Sequence, residues 1–214
     1  MFGLPEGTYF GKVVPKNKFY DKLDIDKKLE RSFIDQIQNI RWVHKLSAEL
    51  LNAEKGHIVD EVEVFLIKLK VPEIDLNVLR QMDRQLHYHL IFILEYEEQY
   101  QLWTAYKEES VNIAFKVGSY YHTGWVTEDT FSLHIDGLNM DTIYENLVRQ
   151  IAGTALEKAD NESLKESVER KEQREKLEKE IAKLRDRIRR EKQFNRQVEL
   201  NKQLKALLKQ LEEL

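Results

Sequence analysis

The chain has 214 residues, with 34 Lys and Arg against 38 Asp and Glu and no cysteine. The missing cysteines exclude a disulfide framework, a thiolate zinc site and a cysteine nucleophile. We expect no signal peptide, because no basic segment followed by an apolar run opens the sequence. No apolar stretch approaches the length of a membrane-spanning helix, so a cytoplasmic protein without a membrane partner is predicted.

Charge and turn residues divide the sequence near residue 153. All three prolines and all eight glycines precede Thr154. Residues 1–153 carry 17 Lys and Arg against 24 Asp and Glu, whereas residues 154–214 carry 17 against 14. We predict an α+β globular domain over residues 1–153 and a helical coiled-coil tail over residues 154–214.

The first elements are predicted from alternation and helix capping. Residues 8–14 are expected to form a short strand, and Asp26 caps a helix whose apolar face extends to Ile40. Residues 41–47 and 57–70 are predicted strands.

The remaining elements complete a mixed order of strands and helices. A helix capped by Asp75 ends at Leu86, and a hairpin of strands 87–96 and 100–107 follows it. A second hairpin has strands 112–117 and 120–126 around Gly118 and Ser119, and a strand over 131–135 comes next. The last helix runs from Asn139 or Asp141 to Ala152, with Gly153 as its C-cap. This order favours an α+β fold, with a mixed sheet and flanking helices, over a regular doubly wound fold.

Apolar residues in the tail recur every three or four positions, which is typical of the narrow seam of a long α-helical coiled coil. The heptad phase does not continue across residues 189–199, so the tail is either one unwound helix or a helical hairpin. We favour the continuous helix, because the segment contains neither Gly nor Pro. The predicted seam consists of Leu177, Ile181, Leu184, Ile188, Leu200, Leu204, Leu207, Leu211 and Leu214.

A block of basic residues lies around the phase break. Its simplest interpretation is a solvated helix face with intrahelical ion pairs, and contact with phosphate or an acidic partner is the alternative. A nucleic-acid sensor would use this block together with exposed aromatic residues, for which Trp103, Tyr121 and Trp125 are candidates. The block consists of Lys183, Arg185, Arg187, Arg189, Arg190, Lys192 and Arg196.

Motifs for common cofactors are missing from the sequence. Neither a GxGxxG nor a GxxxxGK[ST] loop occurs, and there is no HExxH helix. His87 and His89 share one face of a predicted strand, but no third zinc ligand accompanies them, so we expect a pair of half-buried, hydrogen-bonded histidines rather than a metal site. His122 is expected to pack in an aromatic hairpin. We therefore expect no cofactor and no metal.

The enzyme alternative is a divergent metal-dependent nuclease. Restriction-type nucleases hold a divalent metal with carboxylates and orient the attacking water with a lysine of a Glu-x-Lys strand. The candidates here are Glu61, Glu63 and Lys68. In a regular strand Lys68 points to the opposite side from both carboxylates, which argues against this assignment.

Several ordered blocks of sequence resemble a prokaryotic family known as domain of unknown function 4391. The resemblance implies no catalytic residue. Members tend to be encoded beside helicases and DNA methyltransferases of restriction or phage-defence type. The resemblance therefore implies an accessory or adaptor subunit, with these proteins or a second copy as partners and with DNA contacted indirectly. The blocks are Val14-Pro15-Lys16, Trp42-Val43-His44-Lys45-Leu46, Glu61-Val62-Glu63-Val64-Phe65, Ile91-Phe92-Ile93-Leu94, Phe115 to His122 and Gly137 to Asn146.

Overall fold

A computed structural model describes residues 1–20, 25–109, 115–156 and 162–214. It divides the chain into two compact units, Met1–Gly153 and Thr154–Leu214. The strands are β1 (Tyr9–Val14), β2 (Ile37–Ser47), β3 (Glu61–Leu69), β4 (His89–Tyr96), β5 (Gln99–Glu109) and β6 (Phe115–His122). The helices are α1 (Lys27–Gln36), α2 (Ala48–Leu51), α3 (Leu76–Gln85), α4 (Met140–Ala152), α5 (Leu164–Arg190) and α6 (Phe194–Glu212).

The first unit contains one six-stranded sheet in the order β1-β2-β3-β4-β5-β6. The β3–β4 pair is parallel and is connected through α3. The other neighbouring strands are antiparallel. The predicted α+β class with a mixed sheet is therefore confirmed.

Helices cover both faces of this sheet. On one face, Phe33 of α1 and Met82 of α3 belong to the same buried cluster as Phe65 and Phe92 of the central strands. His89 precedes the clustered β4 residue Leu90, so its side chain points to the other face. There it packs against Tyr144 of α4, with ring centroids 4.4 Å apart.

The sequence located the helix N-termini correctly but extended the first helix too far. Asp26 accepts a hydrogen bond from Leu29 N, Asp75 caps α3, and Asn139 caps α4. However, α1 ends at Gln36. Ile40, predicted on the helix face, pairs with strands on both sides of β2, because pairing in the sheet outweighs the local helical periodicity.

The predicted second hairpin is wrong where the structure describes it. Gly118 and Ser119 lie inside the continuous strand β6, and residues 112–114 fall outside the described ranges. The β5–β6 register shifts between Ala105 and Lys107, so the glycine belongs to an irregular strand rather than a turn. Residues 131–135 form no strand.

The tail consists of two helices, so the favoured continuous helix is wrong. Glu191 has an extended backbone and separates α5 from α6. Its carboxylate accepts from Gln193 N, and its carbonyl accepts from the Gln197 amide; these side-chain contacts replace helical bonds at the break. Leu177 and Leu214 line the same gap, which makes the pair an antiparallel hairpin. No helix within the described ranges is long and apolar enough to cross a bilayer.

Candidate functional site

Two carboxylates and a lysine meet where β2 and β3 lie side by side. The register places Lys45 opposite Glu63 and Ser47 opposite Glu61. Directly opposed residues share a face of an antiparallel pair, so Lys45, Glu61 and Glu63 project to the same side. Lys45 Nζ lies 2.9 Å from Glu61 Oε1 and forms an ion pair with it.

Glu63 is the unusual member of this group. It is 2 % exposed, and neither carboxylate oxygen has a hydrogen-bond partner among the residues that the structure describes. The nearby indole of Trp42 donates its N–H to His44 O, at 3.1 Å. A buried acceptor without a partner costs free energy, so this position is more than a packing site.

The surroundings of Glu63 bring its pKa close to neutral pH, so that the protonated and the ionised forms are both populated there. The pKa of Glu63 is raised to about 7, chiefly by burial; Trp42 lowers this pKa, Glu61 raises it and Lys45 lowers it. A carboxyl with this pKa carries a proton below neutrality and a charge above it.

Glu63 lines a cavity of about 340 Å³ with aromatic walls. Phe19, Trp42 and Phe65 form much of its lining. Tyr88 is 42 % exposed and lies at the edge of the cavity. A largely apolar cleft with a few polar groups, here Glu63, Gln85 and Lys18, is the usual form of a small-ligand site.

Tyr88 also borders a second, more polar cavity of about 560 Å³. Lys45 and Glu61 line this cavity, together with Lys55 and Asp60. The Lys45–Glu61 pair therefore faces the polar cavity, whereas Glu63 lines the aromatic one.

The nuclease candidates do not converge. Lys68 Nζ pairs with Glu95 Oε1 of β4 at 2.9 Å. The β3–β4 register is regular from Val62 to Lys68, so Glu63 and Lys68 point to opposite faces. Among the described residues, no group of three or more His, Asp or Glu side chains could hold a metal ion.

None of the three histidines considered from the sequence, His87, His89 and His122, lies in a metal site among the described residues. His89 is buried against Phe115 and Tyr144, and burial followed by the charge of Lys107 lowers its pKa to about 3. His87 is exposed and precedes β4, so the expected pair of half-buried histidines is wrong. His122 stacks on Trp103 with centroids 4.0 Å apart.

A buried ion pair was missed from the sequence. Lys107 Nζ of β5 lies 2.7 Å from Asp83 Oδ1 of α3, and both side chains are fully buried. Tyr120 donates to the other oxygen of Asp83, and Lys107 also donates to Tyr88 O. Burial raises the pKa of Asp83 and lowers that of Lys107. The buried pair links α3 to β5 and so fastens this helix to the sheet.

Asp141 holds a loop in place. Its carboxylate accepts from the backbone N–H of His57, Ile58 and Val59, at 2.7, 3.1 and 2.8 Å. A Cβ at Gly56 would lie 2.4 Å from Asp141 Oδ1, so only glycine permits this approach. The sequence block from Gly137 to Asn146, which contains Asp141, thus has a structural role.

The hairpin covers its predicted seam only in part. Ile181, Leu184 and Leu200 are buried, and Leu214 is 37 % exposed. The partly buried seam residues are Leu177, Ile188, Leu204, Leu207 and Leu211.

The basic block surrounds the turn between α5 and α6. All seven of its side chains are exposed. Of the aromatic residues proposed to accompany it, Tyr121 is 2 % exposed, whereas Trp103 and Trp125 are partly buried against the sheet core. The prediction that Tyr121 is exposed is therefore wrong. Side chains alternate in direction along β6, and that of Tyr121 points into the core.

Comparison with known proteins gives one match. A family model described as Domain of unknown function (DUF4391) matches residues 2–211, which confirms the resemblance seen in the ordered sequence blocks. No curated protein matches the chain, and no solved structure matches it.

Proposed function

The chain belongs to the family described as Domain of unknown function (DUF4391), and from this premise we propose an accessory role. The chain is a non-catalytic adaptor subunit of a DNA-processing complex of restriction or phage-defence type. It assembles through its C-terminal helices, which form a coiled coil with a partner. We name a helicase and a DNA methyltransferase as its partners because the family resemblance implies them.

The observation that carries this proposal is the incomplete seam of the hairpin. After α5 and α6 have packed together, six of the nine seam side chains retain exposed surface. Two further apolar residues of α6, Phe194 and Val198, are 75 % and 41 % exposed. Apolar side chains that stay exposed along both helices support an interaction site there.

Helices are the partners that such a surface accepts. Two antiparallel helices bury one side of each seam, and additional helices complete a bundle around a common apolar core. A second copy of the hairpin or a helical segment of another subunit meets this requirement. Charged residues flank the seam on both helices, which confines the contact to the apolar stripe.

Removal of the tail tests the proposal. A chain ending at Gly153 should remain folded and soluble, because the sheet and its covering helices belong to the first unit. We expect it to lose self-association in analytical ultracentrifugation and co-purification with the helicase or methyltransferase of its locus. Retention of both properties by the truncated chain would refute assembly through the tail.

A nucleic-acid contact at the hairpin turn is the second candidate, and the seven exposed cations favour it. Replacing Arg187 and Arg190 by Glu should leave assembly unchanged. If the turn contacts DNA, the variant also binds duplex DNA more weakly, with a smaller dependence on salt concentration. Unchanged binding and salt slope would argue for a merely solvated face.

The nuclease alternative has less support. Glu61 is paired with Lys45, and Lys68 is paired with Glu95, so the residues proposed for metal binding and water activation engage other partners.

A further inference from the structure

The aromatic cavity at Glu63 is independent of the helical tail and of the adaptor role. Its lining combines apolar residues from β1, β2, β3, the segment around Phe19 and the end of α3 with one buried carboxylate, and Lys18 and Gln85 complete it. The only charged neighbours facing Glu63 among the described residues are Glu61 and Lys45, which pair with each other, and Lys18 at the edge. The carboxylate thus lacks a counter-ion of its own.

We propose that this cavity binds an organic cation, an ammonium or guanidinium head group on an apolar stem. Glu63 is the counter-ion, and the rings of Phe19, Trp42 and Phe65 form the walls. Aromatic faces attract cations, and the attraction is strongest where water is excluded. A head group with several N–H donors also satisfies the two carboxylate oxygens that have no partner in the described structure.

Other ligand classes fit less well. A divalent metal needs several oxygen or nitrogen ligands, and the described residues contain no cluster of three. A neutral apolar ligand would leave the buried carboxylate without compensation. An anion would meet Glu63 directly and be repelled.

The probes that test the site are n-butylammonium and, as its neutral counterpart, 1-butanol. Binding to the full chain is followed by NMR through the indole N–H resonance of Trp42, which is assigned with Trp42→Phe. We expect the cation to bind more than tenfold more tightly than the alcohol. Glu63→Gln should abolish this preference, while Lys18→Met should leave it intact or increase it.

The pH dependence supplies a second measurement. Butylammonium keeps its charge between pH 6 and pH 8, whereas Glu63, with a pKa of about 7, changes its protonation. Affinity should fall about tenfold from pH 8 to pH 6, because only the ionised fraction of Glu63 is competent. Saturation with the probe should also lower the pKa of Glu63 in a ¹³C carboxyl titration of the unmodified protein.

A peptide probe distinguishes two sources of the head group, a protein side chain and a free amine. N-acetyl-lysine methylamide carries the same ammonium on a peptide backbone. Binding as tight as butylammonium indicates a protein side chain as the occupant, and exclusion of the peptide probe indicates a free amine. Equal binding of butylammonium and butanol, binding unchanged in Glu63→Gln, or an unshifted Glu63 pKa would each overturn the proposal.

Discussion

Single polar side chains in the first unit fasten segments that lie far apart in sequence. Asp141 holds the loop before β3 through three backbone N–H groups. Asp83 and Lys107 join α3 to β5 in a fully buried ion pair. Both interactions depend on ionised side chains. The free energy of unfolding of the first unit should therefore change when one of these side chains is neutralised.

Replacing Asp141 by Ala should destabilise the first unit by about 1.5–3 kcal/mol, since three N–H donors lose a charged acceptor. Burial opposes ionisation of Asp141, but the backbone N–H groups outweigh it and lower its pKa. Its contribution is therefore present above the ordinary carboxyl pKa and is lost as pH falls through the lowered value. Urea unfolding at pH 7 and pH 3 measures both effects. The control is Asp60→Asn, an exposed carboxylate near the same loop, which should change neither.

Replacing Lys107 by Met should cost on the order of 3–5 kcal/mol, because the buried Asp83 then loses its counter-ion. The double variant Asp83→Asn, Lys107→Met should be markedly more stable than Lys107→Met alone. Its amide oxygen still accepts from Tyr120, and no buried charge remains. Urea unfolding followed by tryptophan fluorescence gives both values. Additive losses in the double-mutant cycle would contradict the coupling.

The elements differ in how far the sequence determines them. The caps at Asp26, Asp75 and Asn139 were predictable, because a short polar side chain before an apolar helical run is a local signal. The end of α1 was not, since pairing of β2 with two neighbours is a non-local effect. Glu63 was noticed only as a nuclease candidate. Its burial and the position of Lys45 opposite it depend on strand register, which the sequence does not display.

Spin labels on the two tail helices should report the hairpin. The chain has no native cysteine, so Gln173→Cys and Gln210→Cys can be labelled specifically. Both positions line the gap between α5 and α6, and a label distance on the order of 20 Å or less is expected from packed helices. A continuous helix would separate them by about 55 Å. Dilution with unlabelled protein removes intermolecular contributions, and a persistent long distance would contradict the hairpin.

Leu204 and Leu211 should be essential to the proposed assembly through the apolar seam of α6. Replacing both by Asp removes apolar burial worth on the order of 1.5–3 kcal/mol for each fully buried leucine, and this is an upper limit for half-buried positions. We expect assembly to fail and helicity to fall, measured by ultracentrifugation and circular dichroism. The matched control is Asn201→Asp with Gln203→Asp, which introduces two carboxylates on the exposed face of α6. If both variants lose assembly equally, added charge rather than the seam is responsible.

At the scale of the molecule, the two units differ in composition and charge. The acidic first unit holds all three tryptophans, whereas the basic tail is mostly helical where it is described. This division was visible in the distribution of Gly, Pro and aromatic residues. The occupant of the seam that we propose was not, because an apolar seam predicts a helix as its contact without specifying the protein that supplies this helix.

Heating should unfold the two units in separate transitions. Tryptophan fluorescence reports the first unit alone, while ellipticity at 222 nm reports the helices of both units, with α5 and α6 as the larger share. We expect different midpoints by the two probes, and a tail midpoint that rises with protein concentration if copies associate. Coincident, concentration-independent transitions would show that the units unfold together.

The parallel pairing of β3 with β4 has a consequence for the route by which the sheet folds. Strands β1 to β3 and strands β4 to β6 are two antiparallel groups of consecutive strands, and the described pairings join them only along β3 and β4. Paired residues of β4–β5 and β5–β6 lie at most 19 positions apart in sequence, whereas those of β3–β4 lie 27 apart and those of β1–β2 lie 26 to 35 apart. We therefore expect the β4–β6 meander to pair first, and the parallel crossover through α3 and the β1–β2 pair to close later. Until the crossover closes, the apolar edge of β4 remains open, and nascent chains are most vulnerable to edge-to-edge aggregation there.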